Sequence, residues 1–109
     1  MELRQVDERV AYVDQLQEQS GPVVLINEFL LAPEDVERFG EVRAENLVLT
    51  KKQPGLSSIQ TYRGTAGSTT FGLIAVWESA MALGDAFLSS EFQALAAGYP
   101  DSTGCPTRL

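Results

Sequence analysis

Residues 23–35 read VVLINEFLLAPED, and this stretch decides the fold. An almost unbroken run of β-branched, aliphatic and aromatic residues covers 23–31, interrupted only by Asn27 and Glu28. Such a run predicts a strand with little solvent exposure on either face. A helix start follows, because Pro33 is tolerated in a first helical turn and the two carboxylates after it favour the positive end of a helix dipole. The stretch therefore predicts a strand that leads directly into a helix.

The predicted helix runs from residue 32 to about residue 51. At about 100° per residue, one apolar stripe forms along it, and its members are Val36, Phe39, Val42 and Leu49. Asn46 falls inside this stripe, and Arg43 lies at its edge. These two polar residues are therefore expected near the surface that the helix turns toward the sheet.

Turn signals and apolar patterning predict the elements that follow. They are a strand over 56–63, a second strand over 69–77 that pairs with it as a hairpin, and a helical region over 78–97. The helical pattern is interrupted at Ser89 and Ser90, where a serine can cap a second segment. The nine residues after Pro100 leave open whether a last strand forms.

Ahead of residue 20, apolar residues recur every three or four positions over 3–16, which predicts an amphipathic helix. The chain then divides into an N-terminal helix over 1–20 and one domain over 21–109. The order of elements in that domain predicts an α+β, ferredoxin-like β-α-β-β-α protomer, with or without a final strand. Because its helices cover one side of the sheet, we expect the other apolar face to be buried in a homodimer.

Composition excludes several classes of function. The 109 residues carry 8 Lys and Arg against 15 Asp and Glu, a net charge of −7, which argues against nucleic-acid and anionic-membrane partners. Histidine is absent and Cys105 is the single cysteine, so zinc, His-ligated haem and Ser-His-Asp chemistry are not expected. Neither a signal sequence nor a bilayer span is evident, and a cytoplasmic protein without metal or cofactor is expected.

Short motifs follow one another in a distinctive order between residues 22 and 100. They are VVLINEF at 23–29, PED at 33–35 with Phe39, QPGL at 53–56, Gln60, Tyr62-Arg63, Trp77-Glu78-Ser79, SEFQ at 90–93 and Tyr99-Pro100. In this order they resemble the antibiotic biosynthesis monooxygenase family of dimeric α/β-barrel proteins. The resemblance implies a ferredoxin-like protomer that packs its sheet on a partner's sheet, with a ligand cleft between the sheet and its own helices.

The resemblance leaves the reaction open, because family members perform different chemistry. In haem-degrading relatives, an asparagine on the first strand, a tryptophan at the end of the third and a histidine on the last helix form the site. Asn27 and Trp77 match the first two, whereas the histidine position falls near Ala96, so haem degradation is not expected. In polyketide anthrone oxygenases, an asparagine and a tyrosine stand where this chain has Leu73 and Leu83.

The family places the tryptophan on the helix-facing side of the sheet, and strand alternation then predicts the rest of the cleft. Its expected lining is Trp77, Leu73, Tyr62, Gln60 and Asn27, with Arg43, Asn46 and Leu83 above them. We interpret Trp77, Asn27 and Tyr62 as candidate catalytic residues and the other five as substrate-binding residues. A mostly apolar cleft with a few polar groups suits a flat aromatic or polyene ligand.

As the first interpretation, the resemblance implies cofactor-independent monooxygenation of a polyketide-like aromatic in this cleft. A deprotonated phenol or enol passes an electron directly to O2 if the protein excludes water and stabilises the enolate, with Asn27, Asn46 or Arg43 as donors. The same donors suit a cyclase or isomerase, and Glu28, Tyr62 or the acidity of the substrate itself supplies the deprotonation. A non-catalytic protein that binds a biosynthetic intermediate is a third interpretation.

The polar candidates also have ordinary structural interpretations. Trp77 at a strand end is a common core aromatic, and Asn46 in an apolar stripe typically bonds to backbone. Arg43 at the stripe's edge typically extends into solvent or pairs with a neighbour such as Glu41.

Overall fold

The computed structural model describes residues 2–5, 21–100 and 104–108. Its elements are β1 (Glu2–Gln5), β2 (Val23–Leu30), a 3-10 turn (Pro33–Asp35), α1 (Val36–Lys51), β3 (Leu56–Arg63), β4 (Thr70–Trp77), α2 (Ala80–Phe87), α3 (Ser90–Ala96) and β5 (Gly104–Arg108). The strands form one sheet in the order β1-β5-β2-β4-β3. Strands β2 to β5 have the order of a ferredoxin-like protomer, which confirms the predicted α+β fold.

The core lies between the helices and one face of the sheet. Strands β2 and β4 pair antiparallel, so residues opposite each other, such as Leu25 and Ala75, share a face. The buried members of this layer are Leu25, Phe29, Leu73, Ala75 and Trp77 from the strands, Phe39 and Val42 from α1, and Leu83, Ala86 and Tyr99 from the C-terminal part. A row of strand residues thus forms the floor beneath α1 and α2.

The other face of the sheet is left open by the described residues. Val24 on β2 is 44% exposed and Tyr62 on β3 is 49% exposed, while Ile26 and Ile74 beside them are half-buried. The sequence predicted little exposure on either face of β2, and for this face that prediction is wrong within one chain. The hydrophobic run is continuous because this face is apolar, although no helix of the described residues covers it.

The break in the C-terminal helical region occurs where it was predicted. The hydroxyl of Ser89 accepts a hydrogen bond from the Phe92 N–H at 3.2 Å, and Ser79 caps α2 by accepting from the Ala82 N–H at 3.1 Å. Each cap satisfies one of the N–H groups that a helix start leaves unpaired. No helix in the described ranges has the length and apolar character needed to cross a membrane.

Both ends of the described chain are strands. In the tail, β5 pairs antiparallel with β2, so the last strand that the sequence left open does form. At the start, residues 3–5 belong to β1, which pairs in parallel with β5, so the predicted helix is wrong for these residues. Apolar spacing over so few residues cannot show that a neighbouring strand supplies the backbone hydrogen bonds. The rest of that helix, 6–20, lies outside the described residues, and the boundary at 20 stays a prediction.

The turn at Gly55 fixes the end of β4 and the start of α2. Gly55 has φ +90°, and a Cβ built on it would lie 2.6 Å from the Cβ of Ala82. Its carbonyl accepts a hydrogen bond from the N–H of Glu78 at 2.7 Å. Only glycine fits this conformation and this close approach without strain.

We therefore expect Gly55→Ala to lower the free energy of unfolding by about 2–3 kcal/mol, because strained backbone and steric contact add. The matched control is Gly67→Ala, since Gly67 has φ +83° but open space around it. This control should lose only the backbone part, about 1–2 kcal/mol. Urea denaturation measures the free energy of unfolding of both variants. An equal decrease in the two would show that the contact with Ala82 contributes nothing to the destabilisation.

Candidate functional site

Two polar side chains of α1 are buried against the sheet. Arg43 is 9% exposed and Asn46 is 8% exposed. Residues three apart on a helix are neighbours on one face, so both point into the layer between α1 and the strands. Arg43, which the sequence places at the edge of the apolar stripe, is therefore part of the contact between α1 and the sheet.

Arg43 is held by aromatic rings and by one backbone carbonyl. Its Nη2 donates a hydrogen bond to the carbonyl oxygen of Gly72 on β4 at 2.9 Å. Its guanidinium carbon lies 5.4 Å from the ring centroid of Phe29 and 5.5 Å from that of Phe39, within cation–π range of both. The pairing with Glu41 that the sequence allowed is wrong, because Glu41 bonds to Arg38 at 3.3 Å.

Burial also sets the electrostatics of Arg43. Removal from water lowers the pKa of its guanidinium from the ordinary value, and Tyr99 acts in the opposite direction. Because an arginine keeps its proton in proteins, the site contains a buried positive charge. The rings around it contact one another, with Phe29 and Phe39 5.1 Å apart and Phe39 and Tyr99 5.4 Å apart.

Sequence reasoning missed this aromatic cluster as part of the site. The signal for one member was present: the alternation that placed Asn27 on the helix-facing side of β2 places Phe29 there as well. The contribution of Tyr99 had no local signal, because it depends on how the C-terminal segment packs.

Asn46 is only half satisfied. The hydroxyl of Thr50 donates to the Asn46 backbone carbonyl at 2.7 Å and lies 3.2 Å from its side-chain Oδ1. The side-chain Nδ2 is buried and has no partner among the described residues. Asn46 is therefore not the backbone-bonded core amide of the ordinary interpretation.

Trp77 ends β4 on the helix-facing side, where it is 2% exposed. It belongs to the same core as Leu73 and Leu83, so the structural interpretation of its ring as a core aromatic holds. Its indole Nε1 nevertheless has no hydrogen-bond partner among the described residues. Buried tryptophan N–H groups usually have one.

Three buried side-chain atoms in the described part of the chain lack partners, and they are Arg43 Nη1, Asn46 Nδ2 and Trp77 Nε1. Each is a donor, and each belongs to the layer between the sheet and the helices. Since buried polar groups are normally bonded, these three donors mark this layer as the candidate functional site. Within the described residues, no cluster of three His, Cys, Asp or Glu side chains could hold a metal ion.

Asn27 lies opposite Leu73 in the β2–β4 register, on the helix-facing side. Trp77 lies opposite Val23 on the same side, four residues away along β2. Four strand residues span about 13 Å, so Asn27 and Trp77 lie at the two ends of one row with the small Ala75 between them.

Gln60 and Tyr62 do not lie at this site, which corrects their predicted placement. The β3–β4 register shifts between Leu56 and Ser58, so Leu56 is opposite Trp77 but Gln60 is opposite Ile74 and Tyr62 is opposite Gly72. This β-bulge turns Gln60 and Tyr62 to the open face of the sheet. There the Tyr62 hydroxyl donates to Gln60 Oε1 at 2.8 Å. A prediction that alternates side chains between the two faces from Leu56 onward does not include this extra residue.

Comparison with known proteins identifies the fold and the family. The profile of the antibiotic biosynthesis monooxygenase family matches residues 22–98. Among solved structures, SnoaB, a cofactor-independent oxygenase from Streptomyces nogalater, is 20% identical with a TM-score of 0.70 over 83% of this chain and 93% of its own. PA3566 from Pseudomonas aeruginosa is 18% identical with a TM-score of 0.66 over 84% and 97%. No curated protein matches the sequence.

The half-satisfied amide of Asn46 yields a stability prediction. Asn46→Leu removes a buried unpaired donor and keeps the branched arrangement of side-chain heavy atoms, while Thr50 keeps its bond to the backbone carbonyl. We expect the free energy of unfolding to rise by about 1 kcal/mol. Glu45→Leu, at the neighbouring exposed position of α1, controls for helix propensity. If Asn46→Leu proves less stable than this control in chemical denaturation, the amide has a structural role instead.

Proposed function

This chain belongs to the antibiotic biosynthesis monooxygenase family, and from that premise we propose that it is a cofactor-independent monooxygenase. Its substrate would be a flat, polyketide-like aromatic that forms an enolate and reacts with O2. As part of the same proposal, we expect the enzyme to act in the cytoplasm.

The observation that carries the proposal is the set of three unpaired donors in a buried, largely apolar layer. An enolate concentrates negative charge on an oxygen atom, and preorganised donors in a water-poor site stabilise such charge strongly. Asn46 Nδ2 and Arg43 Nη1 lie on one face of α1 and are suited to receive that oxygen. Trp77 Nε1, from the sheet, is suited to a second acceptor oxygen of the ligand or of O2.

The proposed chemistry needs no group beyond substrate and O2. The enolate gives one electron to O2, and the resulting radical pair combines through a C–O bond into a peroxide anion. This anion takes up the proton that the substrate lost on forming the enolate and becomes a hydroperoxide. Loss of water from the hydroperoxide leaves a carbonyl, so a ring CH2 and O2 become C=O and H2O. The protein's part is to hold the enolate, exclude water and position the reacting carbon.

The placement of the candidate bases favours deprotonation through the acidity of the substrate itself. Glu28 is exposed and lies opposite Gly72 in the β2–β4 register, on the open face of the sheet, and Tyr62 is on that face too. Neither reaches a ligand on the helix-facing side. The buried charge of Arg43 would instead lower the pKa of a bound phenol or enol, because a nearby cation favours the ionised form.

A second candidate function is cyclisation or isomerisation through the same enolate. The observation that favours it is the apolar character of Leu73 and Leu83, which are buried in the core beside Trp77. Two leucine side chains pack firmly against a ring, but they donate no hydrogen bond that would stabilise a reduced oxygen species. The assay must therefore separate oxygenation from rearrangement.

We further propose that the protein acts as a homodimer that covers the open face of the sheet. This face presents Val24, Ile26, Ile74 and Val76 beside polar residues of β3. Contiguous apolar surface on a small chain of this kind is a typical protein interface. Two copies meeting through the same face would also satisfy the two-fold symmetry that most homodimers have.

The function is tested by oxygen uptake of the purified, metal-free protein with a panel of anthrones and related phenols. Trp77→Phe keeps an aromatic six-membered ring but removes the indole N–H together with the five-membered ring that carries it, so we expect the uptake rate to fall about 10- to 100-fold. Asn27→Ala should lower it as well. Glu45→Gln, on the exposed side of α1, is the matched control and should keep the parent rate.

Uptake that requires the folded protein and falls in either site variant supports the oxygenase. Substrate conversion to a product of unchanged mass without uptake indicates a cyclase or isomerase. If no oxygen uptake occurs and mass spectrometry detects no product, the catalytic proposal is wrong and the interpretation as a non-catalytic binding protein is left.

The dimer is tested by placing a charge on the open face. Val24→Asp, at a residue 44% exposed on that face, should convert a dimer to a monomer, because it would leave an unpaired carboxylate in the interface. Val48→Asp, at a residue 59% exposed on α1, carries the same change on the opposite side and should remain dimeric. Light scattering after size-exclusion chromatography distinguishes them, and a monomeric parent protein would refute the proposal.

A further inference from the structure

Thr50 is a buried polar residue of α1 that the proposed reaction does not use. It lies in the last turn of the helix and is 9% exposed. Its hydroxyl contacts two atoms of Asn46, the backbone carbonyl oxygen at 2.7 Å and the side-chain Oδ1 at 3.2 Å. Because a hydroxyl carries one proton, this proton lies between two acceptor oxygens of a single residue.

The bond to the backbone alone would be an ordinary feature of a helix. Threonine side chains commonly bond to the carbonyl four residues earlier. The contact with Oδ1 of Asn46 is different, because it involves one end of an amide whose two ends have opposite hydrogen-bonding character. The oxygen end only accepts hydrogen bonds, and the nitrogen end only donates them.

The hydroxyl of Thr50 therefore selects which end of the Asn46 amide faces the layer between α1 and the sheet. With Oδ1 beside the proton of Thr50, Nδ2 is on the other side of the amide, where it is buried without a partner in the described part of the chain. The opposite orientation would place Nδ2 beside Thr50 and turn Oδ1 into the layer. The terminal torsion of asparagine is broad and roughly two-fold, so the amide does not choose between these orientations by itself.

Two glutamines show the opposite arrangement of an amide beside a helix. Gln53, just beyond α1, donates from its Nε2 to the carbonyl of Leu49 at 3.2 Å. Gln93 on α3 donates from its Nε2 to the carbonyl of Phe87 at 2.6 Å. In both glutamines the donor end is bonded to the backbone, whereas in Asn46 a hydroxyl contacts the acceptor end and the donor end is left over.

We propose that Thr50 is a positioning residue, whose hydroxyl holds the Asn46 amide with Nδ2 directed at the ligand. The inference rests on the proposed function for the enolate oxygen that this donor receives. An oxygen with negative charge is stabilised by an amide N–H and repelled by an amide oxygen. Thr50 acts through Asn46 and does not itself contact the substrate.

The orientation is tested in the protein without ligand, by nuclear Overhauser effects from the side-chain amide protons of Asn46. In the parent, these protons should show only weak effects to the methyl group of Thr50, because Nδ2 lies on the far side of the amide. Thr50→Val replaces the hydroxyl with a methyl group, so both orientations should be populated and the effects to residue 50 should become strong. Thr50→Ser keeps the hydroxyl and should keep Nδ2 directed away from residue 50.

The consequence for the reaction is tested by steady-state oxygen uptake with the anthrone that the parent oxidises fastest. We expect Thr50→Val to lower kcat about 3- to 10-fold, because the donor is misoriented in part of the molecules and is no longer polarised by the hydroxyl. KM should change less than kcat, since a neutral substrate lacks the charge that the donor stabilises. Thr50→Ser should recover most of the rate. Thr65→Val makes the same change at an exposed position between β3 and β4 and should keep the parent rate.

A double-mutant cycle separates this role from a general effect on packing. In Asn46→Leu no amide is left to orient, so the addition of Thr50→Val should lower the rate no further. An equal decrease with and without the amide would overturn the inference, because Thr50 would then act on the fold. Parent kinetics in Thr50→Val would overturn it as well.

The two proposals fail separately, because the orientation is measured without ligand or O2. Strong nuclear Overhauser effects between the Asn46 amide protons and Thr50 in the parent would refute the inference and leave the oxygenase standing. A parent protein without oxygen uptake would refute the oxygenase, and the nuclear Overhauser effects in the parent and in Thr50→Val would still decide whether Thr50 holds the amide.

Discussion

The contact on which the rest of this structure depends is the Arg43 guanidinium between the rings of Phe29 and Phe39, bonded to the carbonyl of Gly72. It joins three elements, since Phe29 belongs to β2, Gly72 to β4 and the other two residues to α1. A charge in this place fixes how α1 lies across the sheet. An apolar side chain would pack there without specifying the position of the helix so narrowly.

That position determines which groups face a ligand. With Arg43 against β4, Asn46 one turn later must also face the sheet, and Thr50 beyond it bonds back to the helix rather than to the amide nitrogen of Asn46. The donors are therefore left unpaired by the geometry of α1 and not by loose packing, because the surrounding core residues are buried. Natural proteins accept such unsatisfied groups mainly where function requires them.

Local sequence patterns predicted most of the secondary structure well and the tertiary contacts poorly. The bounds of β3 and the serine break between α2 and α3 follow from turn residues and capping, which act within a few positions. The side of the sheet on which Tyr62 lies depends on one extra residue near Ser58. A β-bulge of this kind cannot be recognised from the alternation of polar and apolar residues in the sequence. Two of the three partners of Arg43, the Phe29 ring and the Gly72 carbonyl, come from β2 and β4, so the sequence of α1 alone could not predict them. The strand at residues 3–5 likewise exists because β5 is beside it.

The distribution of polarity also constrains the orientation of a ligand. Leu73 on β4 and Leu83 on α2 are buried and apolar. The sheet and α2 therefore contribute mainly ring-sized apolar contact there, with the indole N–H of Trp77 as the exception. The charged donor is on α1 instead. A ligand with its acceptor oxygen at one end and an apolar ring at the other would satisfy both sides, whereas one with polar groups all around would leave some of them buried and unpaired, at a cost of about 1–3 kcal/mol each.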